Sequence, residues 1–241
     1  MKRGFRCRRE ILEHLKNKYE QLVVHRYEND YLEAVRDFDF LVEENLRPLL
    51  RQYYPNQRSR DQAWKSCKGA LYEYAIFKYI EKLVNENPNL QNRFLVLMGD
   101  SLSDNHRNQV VIRNWSEIFP DVDILIVERE SDLVKAIISC KTSLRERLTE
   151  TAFWKRELEQ RETQANIKII FITTDKDREL KSDTNRYILL HVIDYTFVTD
   201  SDNFRELIEY YERRYGQQID FNQLLRKVRF IDTIQELLRE L

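Results

Sequence analysis

Between residues 94 and 198 the chain carries five short runs dense in β-branched and other apolar side chains, with helically spaced apolar residues on either side. The runs at 94–98, 122–127, 134–140, 167–173 and 187–198 have the length and composition of buried strands. The connection at 128–133 is short enough to predict an antiparallel hairpin. A helical stretch at 144–163 separates the third run from the fourth and predicts one parallel crossover. The expected fold is therefore α/β in the mixed α+β sense, with a central mixed five-stranded sheet flanked by helices.

The flanks have the other period. Ile11, Leu12, Leu15, Tyr19, Leu22 and Val23 predict a helix over 9–24, and a second is predicted over 30–50, disturbed near its end by Pro48. A loop over 53–60 leads to a third helix over 60–85, whose apolar stripe is read as Ala70, Phe77, Ile80 and Val84. Glu73 falls on that stripe, where an unpaired carboxylate is costly and a cation is a natural partner. Two helices, 203–215 and 221–241, close the chain. The expected organisation of the 241 residues is one domain, with an N-terminal helical region (1–57), a core (58–200) and C-terminal helices (201–241).

With a net charge of −1 there is no basic excess of the kind that simple nucleic-acid binders carry, although carboxylates that hold a cation would mask such an excess. Cys7, Cys67 and Cys140 are an odd count without metal-ligand spacing, so neither a disulfide nor a zinc site is expected, and a reducing cytoplasm fits best. His14, His25, His106 and His191 show no ligand or triad spacing and are read as structural or surface residues. No apolar run approaches the length of a membrane span, and there is no Gly-rich phosphate loop.

The chemistry is concentrated at one hairpin. Asp121 and Asp123 open its first strand, and Ser139 and Lys141 end its second. Residues two apart share a face of a strand, so in a suitable register both pairs look into one pocket. Carboxylates that hold a hard cation beside a lysine ammonium are what phosphodiester hydrolysis requires. Taken singly each feature has an ordinary reading: a carboxylate at a strand end, a lone lysine, or a solvated helix turn at Arg145-Glu146-Arg147. Their order and spacing favour the joint one.

This arrangement resembles the PD-(D/E)xK nuclease superfamily, with Pro120-Asp121 as its first element and Lys141 as its last. Ser139 stands where that family usually has its second acid, and in one subgroup of type II restriction enzymes the following helix supplies it, here through Glu150 or Glu157. Lys141-Thr142-Ser143-Leu144-Arg145-Glu146-Arg147 resembles the lysine-plus-recognition segment of restriction enzymes that read C·G pairs. Such a segment suits its role, since Glu146 can accept from cytosine N4 and Arg145 or Arg147 can bind guanine.

The resemblance covers about residues 68–159. It implies a restriction-endonuclease-like core with extra terminal helices, and a Mg²⁺-dependent homodimer that cuts double-stranded DNA at a short palindromic site, without a small-molecule cofactor. It also implies that Asp123, Asp121 and Glu73 hold the metal, that Lys141 assists the attacking water, and that Thr142, Ser143, Arg145, Glu146 and Arg147 contact DNA. The choice between Asp121 and Asp123 as main ligand is open at this stage. Two rival readings are a non-catalytic DNA-binding or scaffold protein that keeps the nuclease-like fold, motivated by Ser139, and a helical interaction module.

Overall fold

The computed structural model describes residues 7–113, 115–144, 147–161, 164 and 166–241. They divide into two compact units, one up to Tyr79 and one from Ile80 to Leu241.

The first unit is helical. Helix α1 (Arg9–Tyr27) buries Ile11, Leu15, Tyr19 and Val23 at the predicted spacing and ends where Glu28 turns left-handed. The single helix expected over 30–50 is instead α2 (Tyr31–Arg36), α3 (Phe38–Asn45) and a 3₁₀ turn over Arg47–Gln52. Asp30 caps α2 by accepting the Glu33 N–H, the break falls at Asp37, and Pro48 starts the 3₁₀ turn, where its missing N–H costs nothing.

Helix α4 (Gln57–Glu86) follows, and its buried stripe runs through Ala63, Cys67, Leu71, Ala75 and Ile76. That stripe differs from the predicted one: Ala70, Glu73 and Phe77 are only partly buried. Lys68 is the buried cation of this unit, its Nζ 2.6 Å from Asp39 and 2.8 Å from Glu43. Cys7 and Cys67 form a disulfide, which corrects the expectation of unpaired cysteines. The odd count and the separation of 60 residues concealed the pair, and Cys140, which is buried, lies outside it. A disulfide is a feature of oxidising surroundings and not the expected mark of a reducing cytoplasm.

The second unit is built on a six-stranded sheet. In chain order it contains α5 (Pro88–Arg93), β1 (Phe94–Met98), α6 (Asp104–Val110), the small hairpin β2 (Ile112–Arg113) and β3 (Glu117–Ile118), β4 (Ile124–Glu128), β5 (Leu133–Lys141) and α7 (Arg147–Glu159). Then follow β6 (Lys168–Thr173), α8 (Asp183–His191), β7 (Tyr195–Val198), α9 (Ser201–Tyr215), α10 (Phe221–Lys227), β8 (Val228–Phe230) and α11 (Ile234–Glu240). The strand order is β1-β4-β5-β6-β7-β8, with β1, β4 and β5 antiparallel and β5 to β8 parallel. Both the expected hairpin and the expected crossover through α7 are present, and the mixed α/β class holds.

Two predicted elements resolve differently. Residues 187–198 are the end of α8 plus β7, because the Ser182 hydroxyl caps a helix by accepting the Asn185 N–H and carries the apolar run Ile188–Leu190 into helical form. The C-terminal helix is split by β8, which pairs with β7 and gives the sheet its sixth strand. One face of the sheet, through Leu125, Val127, Ile137, Ile169 and Phe171, packs in a single core with Leu148, Leu158, Leu189, Leu207 and Tyr211 of the helices. At roughly 25 cal/mol per Å² of apolar surface removed from water, each such fully buried side chain contributes about 1.5–3 kcal/mol.

Candidate active site

The acidic end of the β4–β5 hairpin is set by backbone pairing. Ile124 faces Ile138, and the Asp123 N–H donates to the Ile138 carbonyl at 3.2 Å, which brings Ser139 opposite Asp123. Asp123, Ser139 and Lys141 thus share the face that carries Leu125 and Ile137. The Gly99 N–H donates to the Asp123 carbonyl at 2.8 Å, and the approach is so close that a Cβ at position 99 would lie 1.8 Å from the Val122 oxygen. The residue type at 99 is therefore dictated by the strand that presents the acids.

Lys141 Nζ donates to Asp123 Oδ2 at 2.8 Å and lies 3.0 Å from Asp121 Oδ2. The acid at the start of one strand and the ammonium at the end of its neighbour converge, as the sequence predicts. Asp123 is held further by the Cys140 N–H, which donates to the same Oδ2 at 2.6 Å. Its side chain is 5% exposed, whereas that of Asp121 is 43% exposed. Burial pushes the Asp123 carboxyl up against the pull of the Lys141 ammonium, and the charge of Asp121 adds to the rise. Asp123 is the fixed member of the pair, and Asp121 the one open to solvent.

The α7 end contributes too. Arg147 Nη1 lies 3.7 Å from Asp121 Oδ2 and 3.7 Å from Glu150 Oε2, so Glu150 and Asp121 flank one guanidinium. Glu157 is seven residues further along α7, about 10 Å at the helical rise. Ser139 is buried and its Oγ has no hydrogen-bond partner. Thr142 and Ser143, partly buried, follow Lys141 directly, and the Thr142 carbonyl accepts from Thr174 Oγ1 at 3.0 Å. Arg145 and Glu146 lie outside the described residues. Glu73 is partly buried on α4 and belongs to the first unit.

Asp121 offers hard oxygen donors at an accessible edge with the buried carboxylate of Asp123 beside it, and this donor set fits Mg²⁺, which takes one or two carboxylates and keeps several waters. Among the described residues no group of three or more His, Cys, Asp and Glu side chains forms a cage for a cation. Of the four histidines only His106 is buried. It bridges Ser103 Oγ at 3.0 Å and Asp132 Oδ1 at 2.8 Å, in the order of a hydrolase triad. The Ser103 hydroxyl is already engaged as the cap of α6, accepting the His106 N–H, so the chain of bonds fastens a turn.

Sequence reasoning missed Asp175, a buried acid just beyond β6. Its backbone is left-handed (φ 49°), its Oδ1 accepts the Leu180 N–H at 3.2 Å, and its Oδ2 has no partner. Burial pushes its carboxyl up to about 7. The only sequence signal was a Thr-Thr-Asp run at a strand end, which is common in turns.

Comparison with known proteins agrees with this geometry. A solved structure titled "Restriction endonuclease PspGI-substrate DNA complex" superposes with a TM-score of 0.65, covering 93% of this chain and 92% of that one at 15% identity, which establishes the fold. The "Putative type II restriction enzyme MjaVIP" of Methanocaldococcus jannaschii is 28% identical over 156 residues, 57% of this chain and 67% of that protein. The "Probable type II restriction enzyme HpyAORF263P" of Helicobacter pylori is 38% identical over 63 residues, 26% of this chain and 33% of that protein. The family model described as "BsaWI restriction endonuclease type 2" matches residues 101–224, a span of just over half the chain that contains Asp121, Asp123, Lys141 and Arg147. On that match, and in keeping with the acid-and-lysine hairpin, this chain belongs to the BsaWI family of type II restriction endonucleases.

Proposed function

We propose that this protein is a Mg²⁺-dependent endonuclease that hydrolyses phosphodiester bonds of double-stranded DNA at a short palindromic site, acting as a homodimer. The observation that carries this reading is the convergence of Lys141 Nζ on Asp123 and Asp121, at 2.8 and 3.0 Å. The DNA complex of the PspGI structure supports the choice of substrate, and two-fold DNA suits a two-fold protein.

Hydrolysis adds a water oxygen to phosphorus, breaks the bond to the leaving oxygen and returns a proton to that oxygen. Lys141 donates to a phosphate oxygen once DNA enters and offsets the charge that grows there. Asp123, immobilised by the Cys140 N–H, and the more exposed Asp121 would hold the cation. Glu150, which shares Arg147 with Asp121, takes the place of the acid that Ser139 lacks. When bound, Mg²⁺ polarises the phosphate and eases ionisation of the attacking water. Arg145, Glu146 and Arg147 read base edges, flanked by Thr142 and Ser143.

A second reading, a DNA-binding protein that keeps the fold without cutting, is favoured by Ser139 alone. Incubation with plasmid DNA of mixed sequence separates the two. The endonuclease gives discrete fragments with Mg²⁺ and none with a chelator, whereas intact plasmid in every divalent metal contradicts it.

A further inference from the structure

The hairpin β2–β3 precedes Asp121 by a few residues and ends in a side chain that nothing covers. Ile112 pairs with Ile118 and Arg113 with Glu117. Trp115, in the connection between the strands, is fully exposed, and Ile118 and Phe119 remain 42% and 47% exposed. Burying an indole yields more than burying almost any other side chain, so a Trp left wholly in water marks a contact surface.

The foot of the hairpin is firmly held. Gln164 Nε2 donates to the Gln109 and Val111 carbonyls at 2.8 and 3.1 Å, and Val110 and Ile112 enter the core of the second unit. The hairpin thus presents Trp115 on a fixed base. Among the described residues, the guanidiniums of Arg113 and Arg161 and the carboxylate of Glu117 stand there. Arg161 donates to the Arg113 carbonyl at 2.9 Å, while Arg113 pairs with Glu117 at 3.2 Å.

We infer that Trp115 is a DNA-contacting residue that packs its indole against a groove of the bound duplex within a few base pairs of the cleaved phosphate. The inference rests on the endonuclease reading and deepens it. Chain reach sets the distance: the six residues from Trp115 to Asp121 span at most about 21 Å. A duplex with a phosphate at Lys141 therefore has Trp115 within about six base pairs of the cut. Positive charge at the hairpin foot suits the neighbouring phosphates, and an indole suits the sugar and base edges of a groove. A contact between copies of this chain is less well matched. The three exposed side chains offer roughly 400 Å², about half of what each partner of a stable interface buries.

The test uses the full-length protein with Ca²⁺ in place of Mg²⁺ and a 30-base-pair duplex carrying the sequence at which the plasmid is cut. Trp115→Ala is expected to weaken binding by about fivefold or more, with the salt dependence unchanged because no phosphate contact is lost. Trp64 is buried and Trp154 partly so, which lets the emission of Trp115 be isolated by subtracting a Trp115→Phe control. That emission is expected to quench when the duplex binds, and sedimentation of the Trp115→Ala variant is expected to match that of the wild type.

Unchanged affinity, unquenched emission, or a fall in oligomer mass in Trp115→Ala would each overturn the inference, the last by showing a contact between copies. Failure of the wild type to bind the duplex would overturn this inference and the endonuclease reading together. Full cutting by a Lys141→Ala variant that binds normally would overturn only the catalytic assignment.

Discussion

Two buried aspartates, both raised by burial, differ in how firmly their surroundings resist that rise. Asp123 has an ammonium at 2.8 Å and a backbone N–H at 2.6 Å, and these offset only part of the cost of its burial, so its carboxyl still stands above the ordinary range. Asp175 has the backbone N–H groups of Leu180, at 3.2 Å, and of Glu179, with Lys181 exerting a further downward pull and the Glu179 carboxylate an upward one, and burial prevails by a wider margin. Tyr211, whose hydroxyl donates to the Leu180 carbonyl, closes the same turn.

A carboxyl raised from 3.8 to about 7 on folding favours the folded state fully below 3.8, and that contribution is lost as pH rises towards 7. The loss amounts to roughly 4 kcal/mol at most, at 1.36 kcal/mol per unit. Urea unfolding at pH 5 and pH 8 should therefore show the wild type less stable at pH 8, and Asp175→Asn should flatten that difference. A wild type equally stable at both values would mean that the carboxyl titrates normally.

At the scale of elements, the site depends on how closely β1 approaches β4. The turn after β1 brings Gly99 so near Val122 that no side chain fits between them. Gly99→Ala is expected to push residues 121–123 away from Lys141, and to cost at least tenfold in cleavage rate while the sheet core persists. Rates and circular dichroism of the variant check this, and wild-type cutting would show that the strand tolerates the shift. The hairpin itself was legible in the sequence because two apolar runs joined by a short connection leave few alternatives. The strand β8 was not, since Val228–Phe230 is three residues long and owes its form to the edge of β7. The stripe of α4 was read correctly at Ile80 and Val84 but not at Ala70 and Phe77, where Leu71 and Ile76 are buried instead, because the helix carries apolar residues on several sides and only tertiary packing selects among them.

For the molecule as a whole, the fold and family were legible from the order of elements and from Pro120, Asp121 and Lys141, because side-chain alternation in a hairpin fixes which residues meet. The Cys7–Cys67 disulfide was not legible, since its partners are 60 residues apart in sequence and meet only when the first unit has folded. On the chain-entropy view a cross-link of that span stabilises by about 4 kcal/mol, which makes the redox state of the preparation part of any stability comparison. The sharing of Arg147 between Asp121 and Glu150 likewise needed tertiary structure to be seen.

Function turns on whether the converged ammonium and carboxylates act on a phosphate together. The most direct measurement compares wild type and Lys141→Ala for Mg²⁺-dependent cleavage of the same DNA, with duplex binding measured in Ca²⁺. The account predicts that cutting by the variant falls by at least a thousandfold, of order 4 kcal/mol of barrier, while its affinity for the duplex stays within a few-fold of wild type. Cutting at the wild-type rate by a variant without that ammonium would contradict it.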